Sequence, residues 1–183
     1  MQSPRVLGIT GWSGAGKTTL LTKLIPVLVQ RGLRIATLKH AHHAFDVDQP
    51  GKDSYEHRKA GAQQVLISSS RRWVLMHENG TAPEPRLADL LRRLSPCDLV
   101  LIEGFKTERH PKLEIYRESV GKPPLHPKDD RVLGVATDKP LQQPCAVPRL
   151  DLDDVEAVAD FVIGRAVPLP DVLRELEGTD TAR

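Results

Sequence analysis

The stretch GWSGAGKT, residues 11–18, decides the fold class of this chain. It matches G-x-x-x-x-G-K-[ST] in full, with an apolar run at residues 6–10 before it and helically spaced leucines at residues 18–31 after it. Glycines let the backbone curl so that successive N–H groups face a phosphate, and the helix that follows adds its positive N-terminal end. In this context the motif predicts a nucleotide-binding P-loop. The alternative is a glycine-rich strand-to-helix turn with an incidental lysine.

Each position of the predicted P-loop has an expected role. Lys17 should reach the β- and γ-phosphates, Thr18 should bind Mg²⁺ through its hydroxyl, and Thr19 should hydrogen-bond an inner phosphate. The rest of the loop is expected to surround the phosphates with its backbone, namely Gly11, Trp12, Ser13, Gly14, Ala15 and Gly16.

A P-loop also requires an acidic group on a neighbouring strand to hold magnesium or its water. In CDLVLIEGFK, residues 97–106, a predicted strand at 99–102 has Glu103 at its carboxyl end. Ligands in open α/β sheets bind outside the carboxyl ends of strands, which favours Glu103 as a magnesium ligand and catalytic group. Asp98 lies at the other end of that strand, roughly 17 Å away, and is expected to cap or turn the chain. The alternative for Glu103 is an ordinary surface glutamate.

The base should be recognised by a loop after a later strand, and VLGVATDKPL, residues 132–141, has this form. A carboxylate can accept hydrogen bonds from both N1–H and N2–H of guanine, a fit that adenine does not offer. Thr137 and Asp138 are therefore predicted to bind the base, with GTP preferred. The alternative, in which Asp138 only caps a turn before Pro140, stays open.

Composition points away from several other classes of protein. The chain has 26 basic and 24 acidic residues, so no global field favours nucleic acid or an anionic membrane. No run approaches the roughly 20 apolar residues of a membrane span, and the N-terminus does not resemble a signal peptide. The two cysteines, Cys97 and Cys145, are far apart and suggest no disulfide framework. We expect a cytoplasmic protein that binds neither nucleic acid nor membranes.

Apolar runs alternate with helical patterns, which predicts an α/β fold with a largely parallel sheet flanked by helices. We expect one domain over residues 1–183, with a core at about 5–163 and a C-terminal extension at 164–183. The runs Gln64–Ser68 and Trp73–His77 predict an antiparallel hairpin, and residues 121–130 predict an exposed loop. The other predicted strands are residues 6–10, 34–38, 99–102, 113–116 and 132–136, and the predicted helices are residues 18–31, 53–62, 86–94 and 153–162.

Four segments occur in an order that resembles one family. They are GWSGAGKTTLLTKLIPVL, LKHAHHAFDVDQPGKDSYEHRKAGA, LVLIEGFK and KLEIYR. The chain is similar, over roughly residues 5–162, to the molybdopterin-guanine dinucleotide biosynthesis protein B family. A P-loop is common to a whole superfamily, whereas the histidine-rich block ending in DQPGKDS, together with EGFK, is more specific.

This resemblance implies a P-loop GTP-binding protein of the dethiobiotin-synthetase-like branch, usually a homodimer, with weak GTPase activity. It further implies an adapter for the protein A partner, the guanylyltransferase that transfers GMP to molybdopterin. The deviant P-loop ATPases carry a signature lysine at position 12. Since this chain has Trp12 there, their trans-acting lysine mechanism is not expected.

The histidine-rich segment, residues 38–54, should leave a strand at its carboxyl end, beside the nucleotide. We hypothesise a switch-like loop that nucleotide and Mg²⁺ order, with Asp48 joining Thr18 and Glu103 around magnesium through water. Donors to phosphate or to bound molybdopterin are predicted at Lys39, His40, His42 and His43.

Other interpretations of this segment stay open. His40 and His43 could chelate a metal if the segment were helical, although a Pro-Gly loop lacks the rigidity that structural zinc requires. A solvated polar loop is a further possibility. Two rival functions follow, namely a small-molecule kinase using His43 or Asp48 as a base, and a metal-chaperone GTPase using the histidines.

Overall fold

A parallel sheet covered by helices forms the larger part of the chain in the computed structural model, which describes residues 3–41, 45–141 and 145–178. The strands are β1 (Arg5–Thr10), β2 (Ile35–Lys39), β3 (Gln64–Ser68), β4 (Trp73–His77), β5 (Leu99–Glu103), β6 (Lys112–Tyr116), β7 (Val132–Thr137), β8 (Arg149–Asp151) and β9 (Val167–Pro168). The helices are α1 (Lys17–Gln30), α2 (Asp53–Lys59), α3 (Leu87–Arg92), α4 (Val155–Arg165) and α5 (Leu169–Gly178).

The main sheet has the strand order β2-β5-β1-β6-β7-β8, and every neighbouring pair in that order is parallel. Strand β9 pairs antiparallel with the start of β1. Because the strands run in one direction, their carboxyl ends meet along a single edge, which we call the carboxyl edge. It is formed by the last residues of five of these strands, Lys39 of β2, Glu103 of β5, Thr10 of β1, Tyr116 of β6 and Thr137 of β7.

Both faces of this sheet are buried, which explains the nearly continuous apolar runs of its strands. Successive side chains point to opposite faces. Leu7 and Ile9 therefore join one core with α1 and α4, whereas Val6 joins a second core with α3 and α5. The predicted α/β fold with a largely parallel sheet is confirmed.

Helix α1 directly follows the predicted P-loop and carries its leucines on one face. The buried side chains are Leu20, Leu21, Leu24 and Leu28. The helix ends before Gly32, whose φ of 86° is the left-handed conformation that glycine adopts most easily after a helix. Both features match the sequence prediction.

The chain divides into two compact units, Met1–His40 with Leu87–Arg183, and Ala41–Arg86. The second unit contains α2 and the antiparallel pair β3 and β4, so the predicted hairpin is confirmed. On one face of the hairpin, Leu66 lies opposite Leu75 and both are exposed. Nothing in the sequence predictions separates this unit from the rest of the chain.

The C-terminal elements β8, β9 and α5 are absent from the sequence predictions. Strands of three and two residues are too short to show a periodicity. Helix α5 is strongly charged, and only Val172 and Leu176 of its residues are buried. Helix α4 has an N-terminal cap, since the Asp154 carboxylate accepts a hydrogen bond from the Ala157 amide.

The predicted loop at residues 121–130 is exposed at its start but attached to the sheet further on. Glu114 of β6 is fully buried, and its carboxylate accepts hydrogen bonds from the backbone amides of Leu125 and His126 at 2.7 and 2.9 Å. The indole of Trp12 donates to the Pro123 carbonyl at 2.8 Å. The sequence predicted only exposure because the partner carboxylate lies on a strand.

Candidate nucleotide-binding site

The loop between β1 and α1 has the backbone conformation that a P-loop requires. Gly11, Gly14 and Gly16 have φ values of 142°, 82° and 98°, which residues with a Cβ rarely adopt. A Cβ at Gly11 would also lie 2.4 Å from the Ile115 carbonyl oxygen of β6. Gly16 is the N-cap of α1, so the unbonded amides at the start of the helix face the loop.

Lys17 folds back over this loop. Its Nζ donates hydrogen bonds to the carbonyl oxygens of Gly11 and Trp12 at 3.1 and 3.0 Å. Burial lowers the pKa of the Lys17 amine from its usual value, and the positive charge of Lys106 lowers it further. A bound phosphate would add negative charge beside this amine and favour its protonated form.

Thr18 and Glu103 meet beside the loop, although they lie on α1 and β5. The Thr18 hydroxyl donates to Glu103 Oε1 at 3.0 Å, and Lys39 Nζ lies 3.6 Å from the same oxygen. The Glu103 side chain is only 13% exposed. Magnesium at nucleotide sites binds to one or two protein oxygens together with phosphate oxygens and water, so this pair suits the cation.

The residues after Glu103 hold His40 in place. The His40 amide donates to the Glu103 carbonyl at 2.9 Å, and its ring stacks on Phe105 with the centroids 4.6 Å apart. Gly104 and Phe105 have φ values of 99° and 49°, and a Cβ at Gly104 would lie 2.8 Å from the His40 Cβ. Positive φ at a phenylalanine is strained, and such strain is common at functional sites.

The histidine-rich segment contains three more predicted residues, His42, His43 and Asp48. His42 and His43 lie outside the described residues. Asp48 lies in the second unit, where its Oδ1 accepts hydrogen bonds from the Ser54 hydroxyl and the Gln49 amide, both at 3.0 Å. The roles predicted for these three residues stay predictions. Within residues 3–41, 45–141 and 145–178, no three histidine, cysteine, aspartate or glutamate side chains form a group that could hold a metal ion.

Asp138 follows β7 at the carboxyl edge, as predicted. The Thr137 hydroxyl donates to the Lys139 carbonyl at 3.0 Å and closes the turn that presents Asp138. The Asp138 carboxylate accepts a hydrogen bond from Arg117 Nη1 and borders an open cleft lined also by Pro140 and Leu150.

Two cations at this edge were not predicted. Arg117 directly follows β6 and contacts both the P-loop and Asp138. Lys106 Nζ lies 4.5 Å from the centre of the Trp12 indole, in a cation–π contact. Both occur in the quoted segments KLEIYR and LVLIEGFK. Because both residues lie just beyond the carboxyl end of a strand, their positions in the sequence could have indicated a place at this site.

Three further residues at this loop, Ser13, Ala15 and Thr19, were also predicted at the phosphates. Ala15 is buried, its amide donates to the Trp12 carbonyl at 3.2 Å, and Ser13 and Thr19 are exposed beside it. Residues 11–19, which the sequence predicts at the phosphates, thus lie on the loop between β1 and α1 and on the first turn of α1. Among the described residues, no helix is long and apolar enough to cross a membrane.

Comparison with known proteins gives consistent matches. The family model for molybdopterin guanine dinucleotide synthesis protein B matches residues 6–138. The chain is 49% identical over 161 residues to the molybdopterin-guanine dinucleotide biosynthesis adapter protein of Escherichia coli (strain K12), covering 86% of this chain and 91% of that protein. Identity to the protein of the same name from Haemophilus influenzae is 44% over 160 residues, covering 86% of each. A crystal structure of molybdopterin-guanine biosynthesis protein B is 30% identical, with a TM-score of 0.63 over 87% of this chain and 98% of that chain.

Proposed function

The chain belongs to the molybdopterin guanine dinucleotide synthesis protein B family, and from this premise we propose that it acts as a GTP-binding adapter in molybdenum cofactor biosynthesis. The observation that carries the nucleotide-binding part is the 3.0 Å hydrogen bond between Thr18 and Glu103 beside the P-loop. Two residues 85 apart in the sequence meet where a cation would bridge phosphate and protein.

The P-loop and its neighbours suit a nucleotide triphosphate with magnesium. The loop amides and the start of α1 would hold the phosphates, while Lys17 would exchange its two carbonyl contacts for phosphate oxygens. Thr18 and Glu103 would hold Mg²⁺ or its water. Asp138, across the carboxyl edge, would accept the two N–H groups of guanine.

We propose weak GTPase activity rather than fast turnover. Magnesium supplies charge stabilisation to the γ-phosphate when it is bound. Glu103 would hold Mg²⁺ or its water together with Thr18, so its carboxylate would not be free to take a proton from an attacking water. Hydrolysis would therefore depend mainly on Lys17 and the loop amides, which spread the developing negative charge.

The partner is proposed from the relatives, which are named as adapter proteins. We propose that the chain assists the guanylyltransferase of molybdopterin guanine dinucleotide formation, in the cytoplasm and as a homodimer. Lys39 and His40, which flank Glu103, together with His42 and His43, would meet phosphate or bound molybdopterin. Asp48 would support the magnesium water shell.

Two measurements test this proposal. Isothermal titration calorimetry with GTP and ATP, each with Mg²⁺ and then with EDTA, should give magnesium-dependent binding that favours GTP. Pulldown of the guanylyltransferase, with and without GTP, should recover the partner. A purified protein that binds neither nucleotide would contradict the nucleotide-binding part, and a guanylyltransferase that is never recovered would contradict the adapter part.

A further inference from the structure

Arg117 connects two parts of the candidate site that are distant in sequence. Its Nε donates to the Ala15 carbonyl of the P-loop at 3.2 Å, and its Nη1 donates to Asp138 Oδ2. A Cβ at Gly16 would lie 3.5 Å from Arg117 Nε, so the guanidinium lies directly against the loop. The Arg117 side chain is 31% exposed and that of Asp138 is 22% exposed, so the contact is largely shielded from water.

The planar guanidinium makes this link stiff. Its N–H donors have a fixed geometry, so holding Nε on the P-loop also fixes the position of Nη1. The Asp138 carboxylate is thereby held at a set position relative to the phosphate loop. A single nucleotide must reach both places at once, which makes that position important for affinity.

The contact leaves room for a base on the same carboxylate. An ionised carboxylate offers about four acceptor sites on its two oxygens. Arg117 bonds to Oδ2 alone, so Oδ1 and a second site on Oδ2 can accept the N1–H and N2–H of guanine. Arg117 and guanine can therefore bind Asp138 together.

We propose that Arg117 is a positioning residue for guanine selection, which holds the Asp138 carboxylate at the distance from the P-loop that a bound GTP requires. This inference rests on the proposed function and adds the residue that aligns the base site. The proposed role concerns the choice between guanine and adenine and does not concern the binding of phosphate.

Calorimetric titration of Arg117→Ala with GTP and ATP, each with Mg²⁺, tests this role. The expected result is a roughly tenfold loss of GTP affinity with ATP affinity changed less than about twofold, in line with the typical worth of a bidentate contact. Arg117→Lys should recover only part of the loss, because one amine cannot keep both contacts. Arg31→Ala is the matched control, since Arg31 pairs with Glu156 and Asp160 after α1 and should leave both affinities unchanged.

A second readout separates positioning from a general structural role. In an Asp138→Asn background, which should favour XTP, adding Arg117→Ala should reduce XTP affinity and leave ATP affinity unchanged. Thermal unfolding of each variant checks that it is folded, and an unfolded Arg117→Ala would be replaced by Arg117→Gln.

Three results would overturn the inference. Equal losses for GTP and ATP would make Arg117 a phosphate ligand, a gain in GTP affinity would make it a competitor of the base, and an unchanged ratio would make it irrelevant to selection. Wild-type protein that binds no nucleotide would instead overturn the proposed function itself, so the two failures are distinguishable.

Discussion

Strand β5 carries a carboxylate at each end, and the two have different surroundings. Asp98, just before the strand, accepts hydrogen bonds from the amide, Nε and Nη2 of Arg34 at 2.8, 3.0 and 2.8 Å. These bonds lower the pKa of Asp98 to about 2. The Glu103 carboxylate, at the carboxyl end, accepts a hydrogen bond from the Thr18 hydroxyl at 3.0 Å and lies 3.6 Å from the Lys39 amine.

This difference indicates that the Asp98 carboxylate stabilises the fold and that the Glu103 carboxylate is available to a ligand. A backbone amide and a rigid guanidinium occupy Asp98, and no ligand could replace them without breaking the junction between β2 and β5. The partners of Glu103 are a side-chain hydroxyl and a flexible lysine, which a cation and a phosphate could engage instead. The four tests below vary one residue each and are ordered by expected effect on nucleotide affinity.

The largest effect on GTP affinity is expected for Lys17→Ala, at the end of β5 where Glu103 lies. Removal of this half-buried charged partner of the phosphates should cost about 2–5 kcal/mol of GTP binding, or roughly 30-fold and more. Calorimetry would measure the loss, with Lys23→Ala as the control, because Lys23 is an exposed lysine of the same helix. A GTP affinity in Lys17→Ala equal to that of the wild-type protein would refute the P-loop assignment.

Asp138→Asn should change base preference. The amide can no longer accept two hydrogen bonds from guanine but can pair with xanthine, so GTP affinity should fall and XTP affinity rise, each by roughly tenfold or more. Competition of GTP against XTP would measure the exchange. An unchanged preference would remove Asp138 from the base site.

Glu103→Gln should weaken binding mainly through magnesium. Replacing the carboxylate with a neutral amide should lower GTP affinity in Mg²⁺ by roughly tenfold, about the worth of one charged contact, and should have little effect in EDTA. Titrations in the two conditions provide the comparison. An equal loss in both would mean that Glu103 does not serve the cation.

The smallest effect on binding is expected for Asp98→Asn, which acts on stability instead. A carboxyl whose folded pKa is depressed from 3.8 to about 2 stabilises the fold above pH 3.8, and this contribution is lost as pH falls towards 2. The variant should be less stable at pH 7 and should show a shallower decrease in stability between pH 4 and 2. Urea unfolding across this pH range would measure the stability. A GTP affinity that fell as much as in Glu103→Gln would contradict the structural role of Asp98.

Local sequence rules predicted much of the main sheet and the phosphate loop. Strands β3 and β4 have the predicted bounds, and β1, β2 and β5 differ by a residue at one or both ends. The apolar runs of β1 and β5 reflect burial on both faces of the main sheet, so the sequence of these strands is enough to identify them. Elements β8, β9 and α5 were not predicted, because their sequences are too short or too charged to show a clear pattern. Contacts with neighbouring elements hold them in place.

The sequence by itself determined the P-loop and the carboxylates at the carboxyl ends of β5 and β7, because glycine spacing and strand ends are local properties of the chain. Only the tertiary structure decided the partners. Arg117 meets Ala15 and Asp138 across separations of 102 and 21 residues, and Arg34 meets Asp98 across 64. Such pairs come together through the order of strands in the sheet, and that order depends on packing over the whole chain.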